Sequence, residues 1–173
     1  MKLILIGYMG CGKSYVGHAF STYLKHHFYD LDDLICKNKK KSIYEIFKKN
    51  GELFFRKIEH KTLKEFLKNY KSYILALGGG TPCHYENINI MNEKACIVYL
   101  RYGASSLFER LRLQRETRPI IYHLDDLSLL RFINNQLYER RGIYERAKKK
   151  ISIKGKSIEE IVFYLKSLLK DVK

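Results

Sequence analysis

The segment from residue 7 to residue 14 reads G-Y-M-G-C-G-K-S, and it constrains the fold more than any other part of this chain. An apolar run at positions 3–6 precedes it, as in a buried strand, and apolar residues at helical spacing follow it from Tyr15 to Leu24. A glycine-rich turn of the form G-x-x-x-x-G-K-[ST] between a strand and a helix is the pattern of a phosphate-binding loop. The segment therefore predicts a site for the triphosphate of a nucleotide, and not a chance turn.

The small and polar residues of this loop suit different parts of a triphosphate. Glycine lets the backbone approach phosphate oxygens, Lys13 brings a positive charge to the β- and γ-phosphates, and the Ser14 hydroxyl is a ligand for Mg²⁺. The helix that follows adds a dipole whose positive end favours anions. We interpret Cys11 as a small residue that fits the loop. The predicted nucleotide contacts in this loop are Gly10, Cys11, Gly12, Lys13, Ser14 and Tyr15.

Length and composition favour a single domain over residues 1–173. No apolar run approaches the roughly 20 residues of a membrane span, and no signal-peptide pattern precedes the first strand. We therefore expect a cytoplasmic protein with no membrane partner. The four cysteines form no C-x-x-C pair, which favours reduced thiols. No pattern in the sequence specifies an oligomer, and we expect a monomer.

The net charge of +15 raises the question of a nucleic-acid partner, but the distribution of the charge argues against one. The lysine runs at 39–41 and 148–150 are short and have no interleaved aromatic residues at a base-stacking spacing. We interpret the lysines as a solvated surface that also attracts anionic substrates. Lysine outnumbers arginine 23 to 10, so each arginine is informative, because arginine is required where a planar, bidentate donor is needed.

Three aspartates, Asp30, Asp32 and Asp33, lie where a second short strand is predicted to end, and the next aspartate is Asp125. Open parallel sheets bind ligands at the carboxyl ends of their strands, and alternation points Asp30 and Asp32 in the same direction. A phosphotransferase needs one carboxylate near Mg²⁺ and another to orient the acceptor hydroxyl. Capping of the next helix explains one aspartate but not the two before it, so we assign Asp33 to capping or to solvent.

Arg56 is the only arginine among the first 100 residues, with Glu52 four residues before it and Glu59 three residues after it. Surface ion pairing accounts for this spacing, but lysine would serve equally well for that purpose. We interpret Arg56, held by Glu59, as a fork for a carboxylate or a phosphate. The glycines at 78–80 follow a predicted strand, and their backbone would form a wall of the acceptor site.

Residues 115–125 break helical periodicity, and we predict a lid over about 112–125 that carries Arg115, Arg118 and Pro119. A loop with arginine is able to close over ATP, exclude water and stabilise charge on the transferring phosphoryl group. A solvated, charged loop without a catalytic role is the alternative interpretation.

Strands and helices are predicted to alternate along the whole chain. This alternation favours a parallel sheet with helices on both faces, although periodicity does not give the order of its strands. Capping boxes predict helix starts at 42–45, 106–109 and 157–160, and the first of these helices is predicted to stop at residues 50–51. The predicted strands are 2–6, a short strand ending near residue 30, 73–77, 96–100 and 150–153.

Taken together in order and spacing, these segments resemble the shikimate kinase family over nearly the whole chain. The matching motifs are G-Y-M-G-C-G-K-S at 7–14, D-L-D at 30–32, G-E-L-F-F-R-K-I-E at 51–59, L-G-G-G at 77–80, R-P-I-I at 118–121 and R-R-G-I-Y at 140–144. The resemblance implies a P-loop NTPase fold of the α/β class, similar to nucleoside monophosphate kinases, with a parallel sheet, helices on both faces and a mobile lid loop. It also implies an acceptor-binding region at about 31–62.

The same resemblance implies transfer of the γ-phosphate of ATP to the 3-hydroxyl of shikimate, with Mg²⁺, in aromatic amino-acid biosynthesis. The implied catalytic residues are Lys13, Asp32, which would assist deprotonation of the acceptor hydroxyl, and Arg118. Ser14 would bind Mg²⁺, and Asp30 would act on it through water. The implied nucleotide contacts outside the loop are Arg110 and Arg118. The implied shikimate contacts are Asp32, Arg56, Gly78, Gly79, Gly80 and Arg141.

The sequence departs from the family pattern at Ala76, where many members carry a hydroxyl residue, and the segment from Thr81 to Tyr85 is atypical and receives no role. An alternative interpretation is another small-molecule P-loop kinase that acts on gluconate or a nucleoside monophosphate, because a pair of arginines also suits a phosphate. An alternative of a different class is a nucleotide-binding regulatory or nucleic-acid-associated protein that uses the net charge of +15. We favour a kinase with a small-molecule partner.

Overall fold

The computed structural model describes residues 1–118 and 120–169, so Pro119 of the R-P-I-I motif and the last four residues of the predicted domain lie outside the described residues. Five parallel strands form one sheet in the order β2-β3-β1-β4-β5. Its strands are β1 (Lys2–Ile6), β2 (Phe28–Asp30), β3 (Tyr73–Ala76), β4 (Cys96–Arg101) and β5 (Lys149–Ser152).

Helices connect the strands, as parallel pairing requires. Short 3₁₀ turns lie at Thr81–Cys83 and Arg115–Thr117. The helices are α1 (Lys13–Leu24), α2 (Leu31–Lys39), α3 (Ile43–Asn69), α4 (Asn87–Lys94), α5 (Ala104–Leu113), α6 (Asp126–Tyr144) and α7 (Ile158–Leu169). The predicted α/β architecture with a parallel sheet is confirmed. No helix in the described part of the chain is long and apolar enough to span a membrane.

The central strand β1 explains why the helices divide between two faces of the sheet. Successive side chains of a strand point to opposite faces, and β1 is apolar at every position from Leu3 to Ile6. Leu3 and Leu5 pack in a core beneath α1, α5 and α7, whereas Ile4 and Ile6 pack in a second core beneath α2, α3 and α4. The two cores therefore hold both layers of helices against one sheet.

Two of the three predicted capping boxes are present. Ser42 Oγ accepts from the Glu45 N–H at 3.2 Å while the Glu45 carboxylate accepts from the Ser42 N–H at 2.7 Å. The same reciprocal pair joins Ser157 and Glu160. The predicted break at 50–51 is also confirmed, because Gly51 has φ 77° and ψ 174° and divides α3 into two segments.

The capping box predicted at 106–109 is wrong. Helix α5 begins at Ala104, and Gly103, with φ −72° and ψ 155°, is its N-cap residue. The Gly103 carbonyl already accepts from the Leu107 N–H at 2.9 Å, so Ser106 lies inside the first turn. An early start buries Leu107 and Leu111 one turn apart, and this packing prevails over the local capping preference.

The carboxyl ends of three neighbouring strands bring the distant sequence motifs together. Strand β1 leads into the phosphate loop, β2 ends at Asp30, and β3 leads into the glycines at 78–80. These strands lie side by side in the sheet. All three segments therefore meet at one edge, where open α/β sheets bind ligands.

Candidate active site

The phosphate loop is closed by Lys13 while its glycines shape the backbone. Gly12 is the N-cap of α1 and has φ 90°, a left-handed conformation that a side chain would strain. Lys13 is buried, and its Nζ donates to the carbonyl oxygens of Gly7 at 2.9 Å and Tyr8 at 3.0 Å. Within the described residues, the hydrogen-bond partners of the ammonium group are uncharged, which leaves its charge available to an anion.

Ser14 and Asp30 lie together beside this loop. The Ser14 hydroxyl donates to Oδ2 of Asp30 at 2.7 Å. A hydroxyl and a carboxylate supply the hard oxygen ligands that Mg²⁺ takes, with water and phosphate oxygens completing its shell. The described residues contain no group of three or more His, Cys, Asp or Glu side chains able to hold a metal by themselves, so a cation here requires oxygens from nucleotide and water. The residues present fit Mg²⁺ bound together with a nucleotide.

The helix after β2 is capped by Asp30 and not by Asp33. Oδ1 of Asp30 accepts from the backbone N–H of Asp32 at 3.0 Å, and Asp33 is exposed. Of the two roles predicted for Asp33, capping of the helix is therefore wrong, and exposure to solvent is confirmed. Asp30 both caps α2 with one oxygen and contacts Ser14 with the other.

Asp32 is held in an environment that favours its protonated form. Burial raises the pKa of its carboxyl group to about 7, and the charges of Asp30 and Glu59 add to this effect, while Lys13 and Arg56 oppose it. Its Oδ1 is buried and has no hydrogen-bond partner within the described residues. A buried carboxylate oxygen without a partner is suited to accept a hydrogen bond from a ligand hydroxyl.

Arg56 is fixed by carboxylates on both sides. Its Nη1 donates to Glu59 at 2.8 Å, and its Nε and Nη2 donate to Glu52 at 3.2 and 3.0 Å. Burial lowers the pKa of the guanidinium group, but the two carboxylates more than offset this effect and the net shift is upward. Glu59 is only 1% exposed, so the pair is a buried one that orients Arg56.

The glycine triplet lies against this guanidinium group. A Cβ atom at Gly80 would lie 2.6 Å from Nη2 of Arg56, which is closer than van der Waals contact allows. On the other side of the triplet, the Tyr144 hydroxyl donates to the carbonyl of Gly79 at 2.5 Å. The triplet is therefore held between α3 and α6, and the absence of a side chain at position 80 leaves room for the Arg56 guanidinium group.

Two adjoining cavities form a single cleft at this edge of the sheet. A cavity of about 530 Å³ contains the phosphate loop, and a neighbouring one of about 300 Å³ contains Arg56. The first is lined by Met9, Gly10, Gly12, Lys13, Ser14, Tyr15, Asp30, Asp32, Leu77, Gly78, Gly79, Arg110, Gln114 and Arg118. The second is lined by Met9, Asp32, Ile43, Phe47, Phe55, Arg56, Glu59, Gly78, Gly79, Gly80, Arg118, Ile120 and Arg140.

Asp32 and Arg118 line both cavities, and this shared boundary is the most informative feature of the cleft. Oδ1 of Asp32 and Nε of Arg118 are both buried without partners in the described part of the chain. Burial lowers the pKa of Arg118, and its Nη2 donates to Gln114 at 3.0 Å. An acceptor and a donor thus face the place where the contents of the two cavities would meet.

Most of the predicted nucleotide contacts lie in the first cavity, and Cys11 is the exception. Its side chain is fully buried in the core beneath α1, and its backbone N–H donates to the Tyr8 carbonyl at 3.2 Å. Tyr15 is two-thirds exposed at the rim. Arg110 lines the same cavity and lies over the Tyr102 ring, 4.4 Å from its centroid.

Arg141 was predicted to contact the acceptor, but its side chain is exposed and lies outside both cavities. Arg140 lines the second cavity instead, and its guanidinium group lies over the Tyr8 ring at 5.6 Å. The face of α6 that packs inward, with buried and half-buried residues, explains the difference. Its positions recur every three or four residues and include residue 140, whereas residue 141 is rotated by about 100° toward solvent. This face contains Leu129, Ile133, Leu137, Arg140 and Tyr144.

Sequence reasoning missed other lining residues for different reasons. Arg140 was detectable, because it precedes the buried Tyr144 by one helical turn. Phe47 and Phe55 line the second cavity as a ring pair with centroids 4.5 Å apart, but the sequence shows them only as apolar helix positions. Met9 reaches both cavities from inside the loop motif, where any residue type is allowed.

A third cavity of about 720 Å³ lies between α3 and α4, and none of the predicted site residues lines it. Its walls are mainly lysine, so its charge resembles the rest of the surface. We place the functional site at the cleft, since two buried polar atoms without partners in the described residues, Oδ1 of Asp32 and Nε of Arg118, lie on the boundary between its two cavities. The walls of the third cavity are Lys2, His60, Lys61, Lys64, Glu65, Leu67, Lys68, Ile90 and Lys94.

Comparison with known proteins points to one family. The family model for shikimate kinase matches residues 9–170. The chain is 37% identical to a shikimate kinase of Flavobacterium johnsoniae over 162 residues, which is 93% of this chain and 94% of the relative.

Solved structures give the same result. The crystal structure of shikimate kinase from Bacteroides thetaiotaomicron superimposes with a TM-score of 0.90 at 34% identity, covering 96% of this chain and 97% of that one. Shikimate kinase from Acinetobacter baumannii in complex with shikimate gives a TM-score of 0.89 at 26% identity, covering 99% and 94% of the two chains.

Proposed function

Because the chain belongs to the shikimate kinase family and phosphorylates shikimate with ATP and Mg²⁺, we propose that the cleft of two adjoining cavities performs this reaction. The observation that carries the proposal is the position of Asp32 and Arg118 on the boundary between the cavities. ATP occupies the cavity of the phosphate loop, and shikimate occupies the cavity of Arg56. The product is an intermediate of aromatic amino-acid biosynthesis.

On the nucleotide side, the backbone of Gly10 and Gly12 approaches the phosphates, while Lys13 leaves its carbonyl partners to contact the β- and γ-phosphates. The exposed ring of Tyr15 borders the same cavity, and Arg110 packs against the adenine. Of the predicted contacts, Cys11 contributes at most its backbone, because its thiol is in the core.

The pair of Ser14 and Asp30 would hold Mg²⁺, the hydroxyl as a direct ligand and the carboxylate through water. When bound, the ion neutralises charge on the β- and γ-phosphate oxygens. The hydrogen bond between Ser14 and Asp30 places both oxygens where that ion is needed, before any ligand arrives.

On the acceptor side, Arg56 and Arg140 hold the carboxylate of shikimate from two directions, and Arg140 takes the role first predicted for Arg141. The backbone of Gly78, Gly79 and Gly80 forms the opposite wall. This arrangement turns the hydroxylated face of the ring toward Asp32.

The transfer step joins the two sides. The 3-hydroxyl oxygen forms a bond to the γ-phosphorus, the bond from that phosphorus to the bridging oxygen breaks, and ADP leaves with the electron pair. Asp32 accepts the hydroxyl proton through its unpartnered Oδ1, and Lys13 and Arg118 stabilise negative charge on the phosphoryl oxygens. A pKa of about 7 is near the ambient pH, where a general base is most effective.

The proposal extends to the state of the protein in the cell. All four cysteines are free thiols, which suits a reducing cytoplasm. The steps above use residues of one chain, which supports a monomer. A lid that closes over ATP from residues 112–125 would exclude water from the phosphoryl group.

An ADP-release assay with a panel of acceptors tests the proposed function. We expect turnover with shikimate and little with gluconate or nucleoside monophosphates. Shikimate methyl ester is the matched control, because it keeps the hydroxyl groups and removes the charge that Arg56 and Arg140 bind, and its KM should rise at least about tenfold. Equal turnover with shikimate and its methyl ester would contradict the acceptor side of the proposal.

A further inference from the structure

A hydrogen-bonded bridge joins α3 to the segment after the glycine triplet, and the steps above make no use of it. Thr81 and Asn87 in this segment are buried, with exposures of 0% and 1%. The Thr81 hydroxyl donates to Oε1 of Glu59 at 2.6 Å. Asn87 Nδ2 donates to the Thr81 carbonyl at 2.8 Å, and its Oδ1 lies 2.6 Å from Nδ1 of His60. Two consecutive residues of α3, Glu59 and His60, thus form hydrogen bonds with residues of the segment 81–87.

Because of this bridge, the two carboxylate oxygens of Glu59 accept hydrogen bonds from different partners. Oε2 accepts from Nη1 of Arg56 at 2.8 Å, and Oε1 accepts from the Thr81 hydroxyl. A buried carboxylate needs a partner for each oxygen, and here each oxygen has a different one. Without the hydroxyl, the carboxylate would be free to rotate and turn both oxygens toward Arg56, which would change the direction of the guanidinium group.

The surroundings leave little tolerance for such a rotation. The guanidinium group lies so close to Gly80 that even a Cβ atom would clash with it. At Gly78, a Cβ atom would lie 3.1 Å from both the Thr81 hydroxyl and Oε1 of Glu59. The bridge therefore lies directly behind the glycine wall of the acceptor cavity, and neither Thr81 nor Glu59 lines the nucleotide cavity.

We propose that Thr81 is a positioning residue for the acceptor, whose hydroxyl acts through Glu59 to hold Arg56 in the orientation that receives the carboxylate of shikimate. Asn87 supports this role by holding the Thr81 carbonyl. The inference rests on the proposed function of Arg56. It predicts a selective effect: loss of the hydroxyl weakens the binding of shikimate and leaves the binding of nucleotide unchanged.

Three threonine variants test the role of the hydroxyl. Thr81→Val removes it at nearly constant volume, and Thr81→Ser retains it. Thr62→Val is the matched control. Thr62 is a buried threonine like Thr81, but it lies on α3 and lines neither cavity of the cleft. Calorimetry measures the Kd for shikimate and for ADP with Mg²⁺, and steady-state assays measure both KM values. We expect Thr81→Val to raise the Kd and KM for shikimate about 10-fold, with ADP and ATP values within about twofold.

Thr81→Ser should restore shikimate binding to within about threefold, and Thr62→Val should match the unmodified protein. Equal losses for both ligands, an unchanged Thr81→Val, or a Thr81→Ser as weak as Thr81→Val would each overturn the proposal. If Thr81→Val does not fold, Asn87→Ala replaces it, and the same selective loss for shikimate is expected. An Asn87→Ala variant that binds both ligands normally would then overturn the proposal.

A double-mutant cycle separates this inference from the proposed function. If Arg56→Lys leaves shikimate binding unchanged, the role of Arg56 itself is wrong. If Arg56→Lys weakens shikimate binding but Thr81→Val does not, only the positioning role is wrong. When both are correct, the double variant should lose little more than Arg56→Lys alone, because the two residues act through one contact.

Discussion

The two halves of the cleft are built in different ways. In the nucleotide half, one continuous segment, residues 7–14, surrounds the place of the phosphates with its backbone and Lys13, while the rest of the lining comes from other parts of the chain. The acceptor half takes side chains from separate helices, including Asp32 on α2, Arg56 on α3 and Arg140 on α6. The phosphate-binding part of the first half is thus local in sequence, whereas the second half exists only after distant helices have packed.

The halves also differ in how they balance charge. The Lys13 ammonium group is bound by neutral carbonyl oxygens, while the Arg56 guanidinium group is bound by two carboxylates. A cation with neutral partners attracts a highly charged ligand strongly. A cation bound by carboxylates is instead held in one orientation, and this favours a ligand whose shape matches that orientation. The comparison indicates that affinity for phosphate and orientation of the acceptor are controlled by separate contacts.

The largest effect is expected at Asp32, where the halves meet. Asp32→Asn removes the proton acceptor and keeps the size of the side chain, so kcat should fall by about 10²- to 10⁴-fold. The Kd for shikimate and for ADP should each change by only a few-fold. An ADP-release assay and calorimetry measure these values. Near-normal kcat in the folded variant would remove Asp32 from the transfer step.

The next largest effect should separate the two halves. Arg56→Lys keeps the charge but loses the fork that contacts both glutamates, and the KM for shikimate should rise about 10- to 100-fold while the KM for ATP is unchanged. Arg131→Lys, at an exposed position of α6, is the control and should change neither value. Equal damage to both KM values by Arg56→Lys would contradict the division of the cleft.

A smaller effect distinguishes neighbouring arginines on α6. Arg140→Lys should raise the KM for shikimate about 10-fold, because Arg140 lines the acceptor cavity, and Arg141→Lys should leave it unchanged, because Arg141 is exposed. Steady-state kinetics with shikimate as the varied substrate measures both values. The reverse result would restore the role first predicted for Arg141.

The remaining effect is on stability and not on kinetics. The pKa of Asp32 is raised to about 7 from an ordinary value of about 3.9, so between these values the folded state binds more protons than the unfolded state. The stabilisation is complete below the lower value and is lost as pH rises through the upper one. The free energy of unfolding should therefore fall with rising pH by up to about 1.4 kcal/mol per unit in this window.

Denaturant unfolding of the unmodified protein and of Asp32→Asn, measured at several pH values, isolates this contribution. The difference between the two curves should slope between pH of about 4 and 7 and be flat on either side. Parallel curves across the whole range would show that the cleft does not hold Asp32 in its protonated form.

Several site residues were predictable because local rules govern them. The phosphate loop has a fixed pattern, and Ser14 and Asp30, the two residues predicted to hold Mg²⁺, are hydrogen-bonded to each other. Arg56 was distinguished by the scarcity of arginine, and the structure places it in the acceptor cavity. In contrast, the choice between Arg140 and Arg141 depended on which face of α6 packs inward, and the motif alone did not decide it.

The role of the segment after the glycine triplet could also not be predicted from the sequence. Thr81 carries no recognisable pattern, and its contact with Glu59 joins residues 22 positions apart. The wrong helix start at Ser106 has a similar origin, because burial of Leu107 and Leu111 outweighed a local capping preference. Local energies of about 1 kcal/mol are easily reversed when a buried side chain contributes more.

The sequence by itself determined the class of fold, the triphosphate site and the family, because these depend on alternating hydrophobic periods and on contiguous motifs whose chemistry is local. Only the tertiary structure decided the order of the strands, which arginine of α6 enters the cleft, and how Thr81 and Glu59 hold Arg56. Those features depend on contacts between distant segments, and such contacts are fixed by packing both faces of one sheet at once.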